Sequence, residues 1–150
     1  MPVLHRFHSA LSRKDWATMA TCYADDARFS DPIFPDLDAV EVRAMWMMLL
    51  SSGTDLRFTF TVEQESATEG RCVCEAIYTF GKSGRPVHNI IHSSFELRDG
   101  LIFRQRDRFN FWRWSRQALG TTGWLLGWTP ILRNKVRKVM AKRLASAMRH

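Results

Sequence analysis

Tyr23-Ala-Asp-Asp-Ala-Arg-Phe-Ser-Asp-Pro32 is the stretch on which the reading of this 150-residue chain turns. Met19, Cys22 and Tyr23 share helical spacing and Asp25-Asp26 break it, so the segment reads as a helix end, a polar turn and a short strand. From Ala27 to Asp31 the residues alternate, with Ala27, Phe29 and Asp31 on one side and Arg28 and Ser30 on the other. Pro32 drives Asp31 towards extended geometry and ends the strand. An acid therefore shares a strand face with a phenylalanine. Two readings are open: an Asp that caps the turn, or a carboxylate at the mouth of an apolar pocket. Asp before Pro is ordinary turn chemistry, which favours the cap when the stretch is taken alone.

Upstream, Val3, Phe7, Ala10 and Leu11 predict an amphipathic helix over 3–13, and Asp15 is a suitable N-cap for a second helix through Cys22. Downstream, residues 33–37 read as loop. Asp38 and Glu41 form a capping-box pattern opening a third helix to about Leu50, with Val42, Met45, Trp46 and Leu49 as its buried stripe and Ser51-Ser-Gly53 as its stop. Leu56, Phe58, Phe60 and Val62 then alternate with polar residues, as do Cys72, Cys74, Ala76, Tyr78 and Phe80 over 71–80. A turn at 82–86 leads into a strand over 87–98, and Arg98-Asp-Gly100 turns into another over 101–111. Short connections between consecutive strands imply an antiparallel meander. Helices first and a sheet afterwards give an α+β class.

Beyond residue 112 the pattern changes. Residues 112–119 read as a short helix stopped by Gly120, residues 121–130 as a connector, and Leu132, Val136, Val139, Met140 and Ala147 as one face of a basic helix. The formal net charge of +7 belongs to this end: seven bases lie between Arg133 and Arg149, and no acid follows Asp107. The rest is close to neutral, which argues against a nucleic-acid groove across the whole chain. No apolar run reaches the ~20 residues of a membrane span, the N-terminus lacks a signal-like segment, and three cysteines form no disulfide framework. A single domain over 1–150 in a reducing cytoplasm is the expectation. The last helix should dock on its own domain or on a dimer partner, because it carries no aromatic residue for a membrane interface.

The candidate chemistry sits on the strands. On the last one, Leu101, Phe103, Gln105, Asp107, Phe109 and Phe111 share a face, and Arg104, Arg106 and Arg108 mark the other as solvent. Asp107 and Gln105 are thus stranded among phenylalanines, where an acid is either functional or structurally paired. On strand 87–98, Asn89 and Ser93 face in, while His88 and His92 face out, roughly 13 Å apart and too far to share a metal. His5 and His8 lack a third ligand and read as surface residues, so no metal is assigned. Cys72 and Cys74 read as packing residues. No nucleotide-binding fingerprint or nucleophile elbow is present, and no cofactor is called for.

The order helix, Tyr-Ala-Asp-Asp-Ala, alternating strand, Asp-Pro resembles the nuclear transport factor 2-like superfamily, which includes ketosteroid isomerases and SnoaL-like polyketide cyclases, over roughly residues 3–112. The resemblance implies a cone of N-terminal helices packed on a curved antiparallel sheet, with 112–150 as an extra helical extension. It implies a pocket bounded by Phe7, Tyr23, Phe29, Trp46, Tyr78, Asn89, Ser93, Phe103, Gln105 and Phe109, closed by Trp112 or Trp114. Asp31 matches the ketosteroid isomerase base. The oxyanion-binding Tyr falls on Phe7, which cannot donate a hydrogen bond, and the partner acid falls near Ser93. Asp107 or Tyr78 is the candidate replacement, and limonene epoxide hydrolases use paired acids to activate water instead. The expectation is a cofactor-independent isomerase, cyclase or hydrolase acting on a small apolar or polycyclic molecule, with Asp31 and Asp107 as its acids. A non-catalytic binder or a dimeric interaction module is the alternative. A homodimer through the outer sheet face is expected.

Overall fold

A computed structural model of the chain describes residues 2–51, 55–81 and 83–149. Helix α1 (Val3–Ser12) forms where the apolar spacing places it and buries Val3, Leu4, Phe7, His8, Ala10 and Leu11. Asp15 caps α2 (Trp16–Thr21) by accepting the Thr18 N–H at 3.1 Å. The capping box at α3 (Ala39–Ser51) is reciprocal: the Asp38 carboxylate accepts from the Glu41 N–H at 2.8 Å, and Glu41 accepts from the Asp38 N–H at 3.0 Å. Two donors that a helix start leaves orphaned are thereby satisfied. Ser52 and Gly53 of the expected stop, and Lys82 of the expected turn, lie outside the described residues.

Six strands form one sheet: β1 (Tyr23–Ser30), β2 (Leu37–Asp38), β3 (Arg57–Glu65), β4 (Glu69–Thr79), β5 (Pro86–Arg98) and β6 (Leu101–Arg108), in the order β2-β1-β6-β5-β4-β3. Strands β3 to β6 are the expected antiparallel meander. The sheet is mixed, however, because β1 runs parallel to β6. The chain reaches β6 from β1 through α3 and the whole meander, so no hairpin constrains that pair to run antiparallel. The loop at 33–37 also contributes Leu37 to the short edge strand β2.

Three local readings need correction. Asp25-Asp26 is part of β1 and not a turn; the strand begins at Tyr23, with a register shift before Arg28. Arg98 neutralises Asp26 and Arg43 pairs with Asp25, so partners distant in sequence let two acids stand in a strand. Where Glu96 and Leu97 of β5 pair with Arg104 and Ile102 of β6 the register slips, leaving Phe103 as the extra residue; Ile102 turns inward and Phe103 lies under the guanidinium groups of Arg98 and Arg104, at 4.1 and 5.5 Å. Phe103 therefore stacks under surface cations and leaves the expected inner face. Finally, β6 ends at Arg108, and Asn110 caps α4 (Phe111–Leu119) through the Arg113 N–H.

Helix α4 stops at Gly120, whose φ of 65° suits glycine. The expected connector holds a further helix, α5 (Thr121–Leu126), before α6 (Pro130–Met148). Leu132 and Leu144 are the buried residues of α6, with Val136 and Met140 partly covered; Val139 is exposed, so the packed stripe runs through Leu144 in its place. Helix α6 packs against α3 and α5.

Two apolar clusters result. The larger lies between α1, α3 and the sheet and contains Phe7, Tyr23, Phe29, Met45 and Phe95. The smaller, under α4, contains Val87, Phe111, Trp114 and Ala118, with Tyr78 and Phe109 packed against it. Ile33 touches both.

Candidate functional site

The alternation of β1 aims Phe29 into the larger cluster and delivers Asp31 just past the strand end. There the chain folds back on itself: the Asp31 N–H donates to the Phe34 carbonyl at 2.8 Å, and Asp31 Oδ1 accepts from the Ile33 and Phe34 N–H groups at 2.7 and 2.5 Å. Asp31 is thus the turn-capping residue that Asp-Pro suggests. Yet it is also embedded, and desolvation of its carboxyl pushes its pKa up to about 7. The two turn bonds and the nearby Arg137 pull the other way, while the charge of Asp107 adds to the rise. Burial outweighs capping here.

Asp107 is buried on the inner face of β6, opposite Ser93 of β5. Desolvation raises its pKa to about 6, opposed by hydrogen bonds from Ser93 and Gln105. Behind it runs a one-way chain of donors. Trp46 Nε1–H donates to the Tyr23 hydroxyl at 3.0 Å, Tyr23 donates to Gln105 Oε1 at 2.6 Å, and Gln105 Nε2 donates to Asp107 Oδ1 at 3.1 Å. Each side chain has its tautomer or amide orientation fixed by the one before, so the polar end of the chain must meet an acceptor, the Asp107 carboxylate. Burial raises the Tyr23 pKa well above its ordinary value, which keeps the hydroxyl a donor.

Among the sequence-predicted residues, Phe7, Tyr23, Phe29 and Trp46 come together: the Phe7 ring meets Tyr23 at 5.5 Å and Trp46 at 6.1 Å, and Phe29 meets Trp46 at 6.4 Å, all edge-on. Asn89, Ser93 and Gln105 are buried, and Gln105 accepts from the Tyr23 hydroxyl of this group. Tyr78 and Phe109 belong to the smaller cluster, where the Tyr78 hydroxyl accepts from Trp114 Nε1 at 2.7 Å. Trp114 is the tryptophan that closes this end; Trp112 packs on α5. Phe103 is outside. His8, expected at the surface, is buried, bonds Leu4 O through Nδ1, stacks on Phe60, and has its pKa lowered by desolvation to about 4.

Sequence reasoning missed Arg137. Its Nε donates to Pro32 O at 2.8 Å, which ties α6 to the Asp31 turn. A lone cation in a basic helix gives no signal of its own; the stripe Leu132, Val136, Met140, Leu144 at four-residue spacing would have turned Arg137 inward. Between α6 and residues 33–37 lies an open groove of about 770 Å³, floored by Ile33, Phe34, Leu37, Leu144 and Met148 and edged by Arg137 and Lys138. Ile33 and Phe34 therefore line the groove with their side chains while their amides hold Asp31.

A family model described as SnoaL-like domain matches residues 4–105. The chain belongs to the SnoaL-like domain family. No curated protein sequence matches it. Solved structures similar to this SnoaL-like chain include a proposed polyketide cyclase from Silicibacter sp., at 20% identity and TM-score 0.67 over 77% of this chain and 92% of that one. A protein with a ketosteroid isomerase-like fold from Catenulispora acidiphila, solved with trimethylamine, aligns at 13% identity and TM-score 0.69 over 85% of this chain and 97% of that one. A LEH-like epoxide hydrolase from M. tuberculosis aligns at 17% identity and TM-score 0.61 over 87% and 92%. At these identities the likeness establishes the fold, a nuclear transport factor 2-like α+β cone; the family model ends at residue 105, before α4, α5 and α6.

Proposed function

We propose that this SnoaL-like chain binds a small, mostly apolar molecule and performs cofactor-independent acid–base chemistry on it with Asp31 and Asp107. One observation carries the reading: burial pushes two carboxyls up, Asp31 to about 7 and Asp107 to about 6, and the charge of Asp107 adds to the rise at Asp31, beside a mostly apolar core. Burial holds both carboxyls towards the neutral form, so each titrates closer to neutral pH than a free Asp. A group that gains and loses its proton near the working pH is suited to general acid–base catalysis. Asp31 Oδ1 is occupied by two turn amides, so Oδ2 is the oxygen that would meet substrate. The groove beside α6 is lined by Ile33 and Phe34, whose amides hold Asp31, and by Arg137, while neither carboxylate lines it.

Ketosteroid-type enolisation fits less well than hydrolysis or cyclisation. Phe7 offers no hydroxyl for an enolate oxygen, and the Tyr23 hydroxyl beside it already serves Trp46 and Gln105. A pair of carboxyls of which one is protonated can instead polarise an epoxide or carbonyl oxygen while the other activates water or an acidic C–H. The reading of a non-catalytic binder is favoured by one feature, the double capping of Asp31 Oδ1. The two readings separate on turnover. A panel of small terpenoid epoxides and cyclic ketones in deuterated buffer should give epoxide opening or deuterium incorporation whose rate follows Asp31 through pH ~7 and is lost in Asp31→Asn. Saturable binding with no turnover, unchanged in Asp31→Asn, would leave a binder and refute the catalytic reading.

A further inference from the structure

Five large apolar side chains between residues 124 and 131 serve neither core. Trp124, Leu125, Leu126, Trp128 and Ile131 are 57, 66, 44, 71 and 75% exposed. Contiguous patches of this kind on a protein surface mark interaction sites. The segment is held outward by design of its inner side. A Cβ on Gly123 would lie 1.9 Å from Ser115 O, and one on Gly127 would lie 2.0 Å from Ser115 Oγ, so glycine at both positions lets α5 lie directly on α4. Trp112 Nε1 donates to Trp124 O at 3.3 Å, the two indoles meet edge-on at 5.2 Å, and the Arg116 guanidinium covers the Trp112 ring at 4.2 Å. The backbone is thus fixed and the apolar side chains project from it.

Next to this patch begins the most cationic part of the molecule. Arg133, Lys135, Lys138, Lys142, Arg143 and Arg149 are exposed, no acid follows Asp107 in the sequence, and no ion pair among the described residues involves a residue after Arg104. The apolar stripe of α6 is spent on α3 and the core.

We propose that residues 124–131 and the cations of α6 together form a docking surface for an anionic lipid bilayer. The lack of aromatics in the last helix argues against membrane contact only if that helix is the inserting element; here the aromatics lie one turn before it. Trp128, Leu125 and Ile131 enter the interface, where indole rings and aliphatic chains are favoured, and α6 supplies the long-range attraction to acidic headgroups. Among the described residues no helix is long and apolar enough to cross a membrane, and the contact is peripheral. A second copy of the chain fits the surface poorly, since face-to-face pairing would set the two cationic helices against each other without an intervening acid. The inference does not depend on the acid–base reading of Asp31.

The test is flotation of the full chain with mixed phosphatidylcholine–phosphatidylserine vesicles and with pure phosphatidylcholine vesicles, at low and high salt. Binding is expected to the mixed vesicles alone and to vanish at high salt. Lys138→Gln with Lys142→Gln should weaken it by about thirtyfold. Leu125→Ser with Trp128→Ser, both at exposed positions, should abolish it while leaving the circular dichroism of the protein unchanged. Brominated acyl chains should quench wild-type fluorescence more than that of Trp128→Phe. Failure to bind the mixed vesicles would overturn the proposal. So would a dimer in light scattering that the Leu125→Ser, Trp128→Ser variant converts to monomer, which would assign the patch to a second copy.

Discussion

Replacing Asp31 by Asn should stabilise the protein, and by an amount that depends on pH. Asn keeps the side-chain carbonyl that accepts from Ile33 and Phe34, so the turn survives; what it removes is the ionisable carboxyl. The folded-state pKa of about 7 stands above the ~3.9 of an unfolded Asp, so the native state holds the proton more tightly. The associated stability is fully present below pH ~3.9 and is lost as pH rises through ~7. Linkage sets the loss at about 4 kcal/mol once both states are ionised. For a chain of this size that corresponds to a melting temperature roughly 10 °C higher for Asp31→Asn at about pH 8, with the advantage disappearing at about pH 4. Thermal and urea melts of both proteins across that range measure it. An Asn variant that is less stable than wild type at about pH 8 would show that Asp31 is an ordinary ionised cap, and would refute the reasoning. The predicted direction is also what a functional residue should show, because a group kept for chemistry is often held at the expense of stability.

His8 should impose the opposite slope. Its folded pKa of about 4 lies below the ~6.5 of an unfolded His, so its contribution is present above pH ~6.5 and is lost as pH falls towards 4; His8→Gln should flatten the urea-denaturation pH profile by about 3 kcal/mol across that window. Gln105→Leu removes one of the hydrogen bonds that hold Asp107 ionised and should raise its pKa further above about 6, read by side-chain carbon titration; an unchanged value would mean that the donor chain from Trp46 does not act on Asp107. Gly123→Ala forces a methyl onto the Ser115 carbonyl and should cost about 1–3 kcal/mol in thermal melts, whereas Gly81→Ala, with open space around it, should cost little. The outer sheet face carries Arg104 paired with Glu96 and His88 beside Glu75, an interleaving that suits pairing of two copies; light scattering at micromolar concentration should give a dimer, and a monomer at every salt concentration would count against it.

What could be read from the sequence was whatever is decided locally. The capping box Asp38/Glu41, the Asp15 cap and the stop at Gly120 each involve residues within four positions of one another, and each formed as read. Alternation placed Asn89, Ser93, Gln105 and Asp107 on inner faces, because burial on one side of a sheet writes itself into the sequence with period two. What failed was decided at a distance. The slip beside Leu97 that turned Phe103 outward leaves no mark in an alternating string. Asp25 and Asp26 look like a turn until Arg43 and Arg98 are seen opposite them. The connector at 121–130 holds the helix α5 because Gly123 and Gly127 let it lie against Ser115 of α4, a contact that composition alone makes look like flexibility. Arg137 became part of the site through the packing of α6 on α3.

The protonation of Asp31 in the folded protein decides between a catalytic acid and a turn cap. Carbon-detected NMR titration of the aspartate side chains, with Asp31→Asn and Asp107→Asn assigning the two signals, reads it without any knowledge of the ligand. The predicted result is a carboxyl at position 31 that titrates near 7 and one at position 107 that titrates near 6, with the signal at position 31 falling when Asp107 is replaced. An Asp31 signal that titrates below the ~3.9 of a free Asp, and ignores the loss of Asp107, would contradict it.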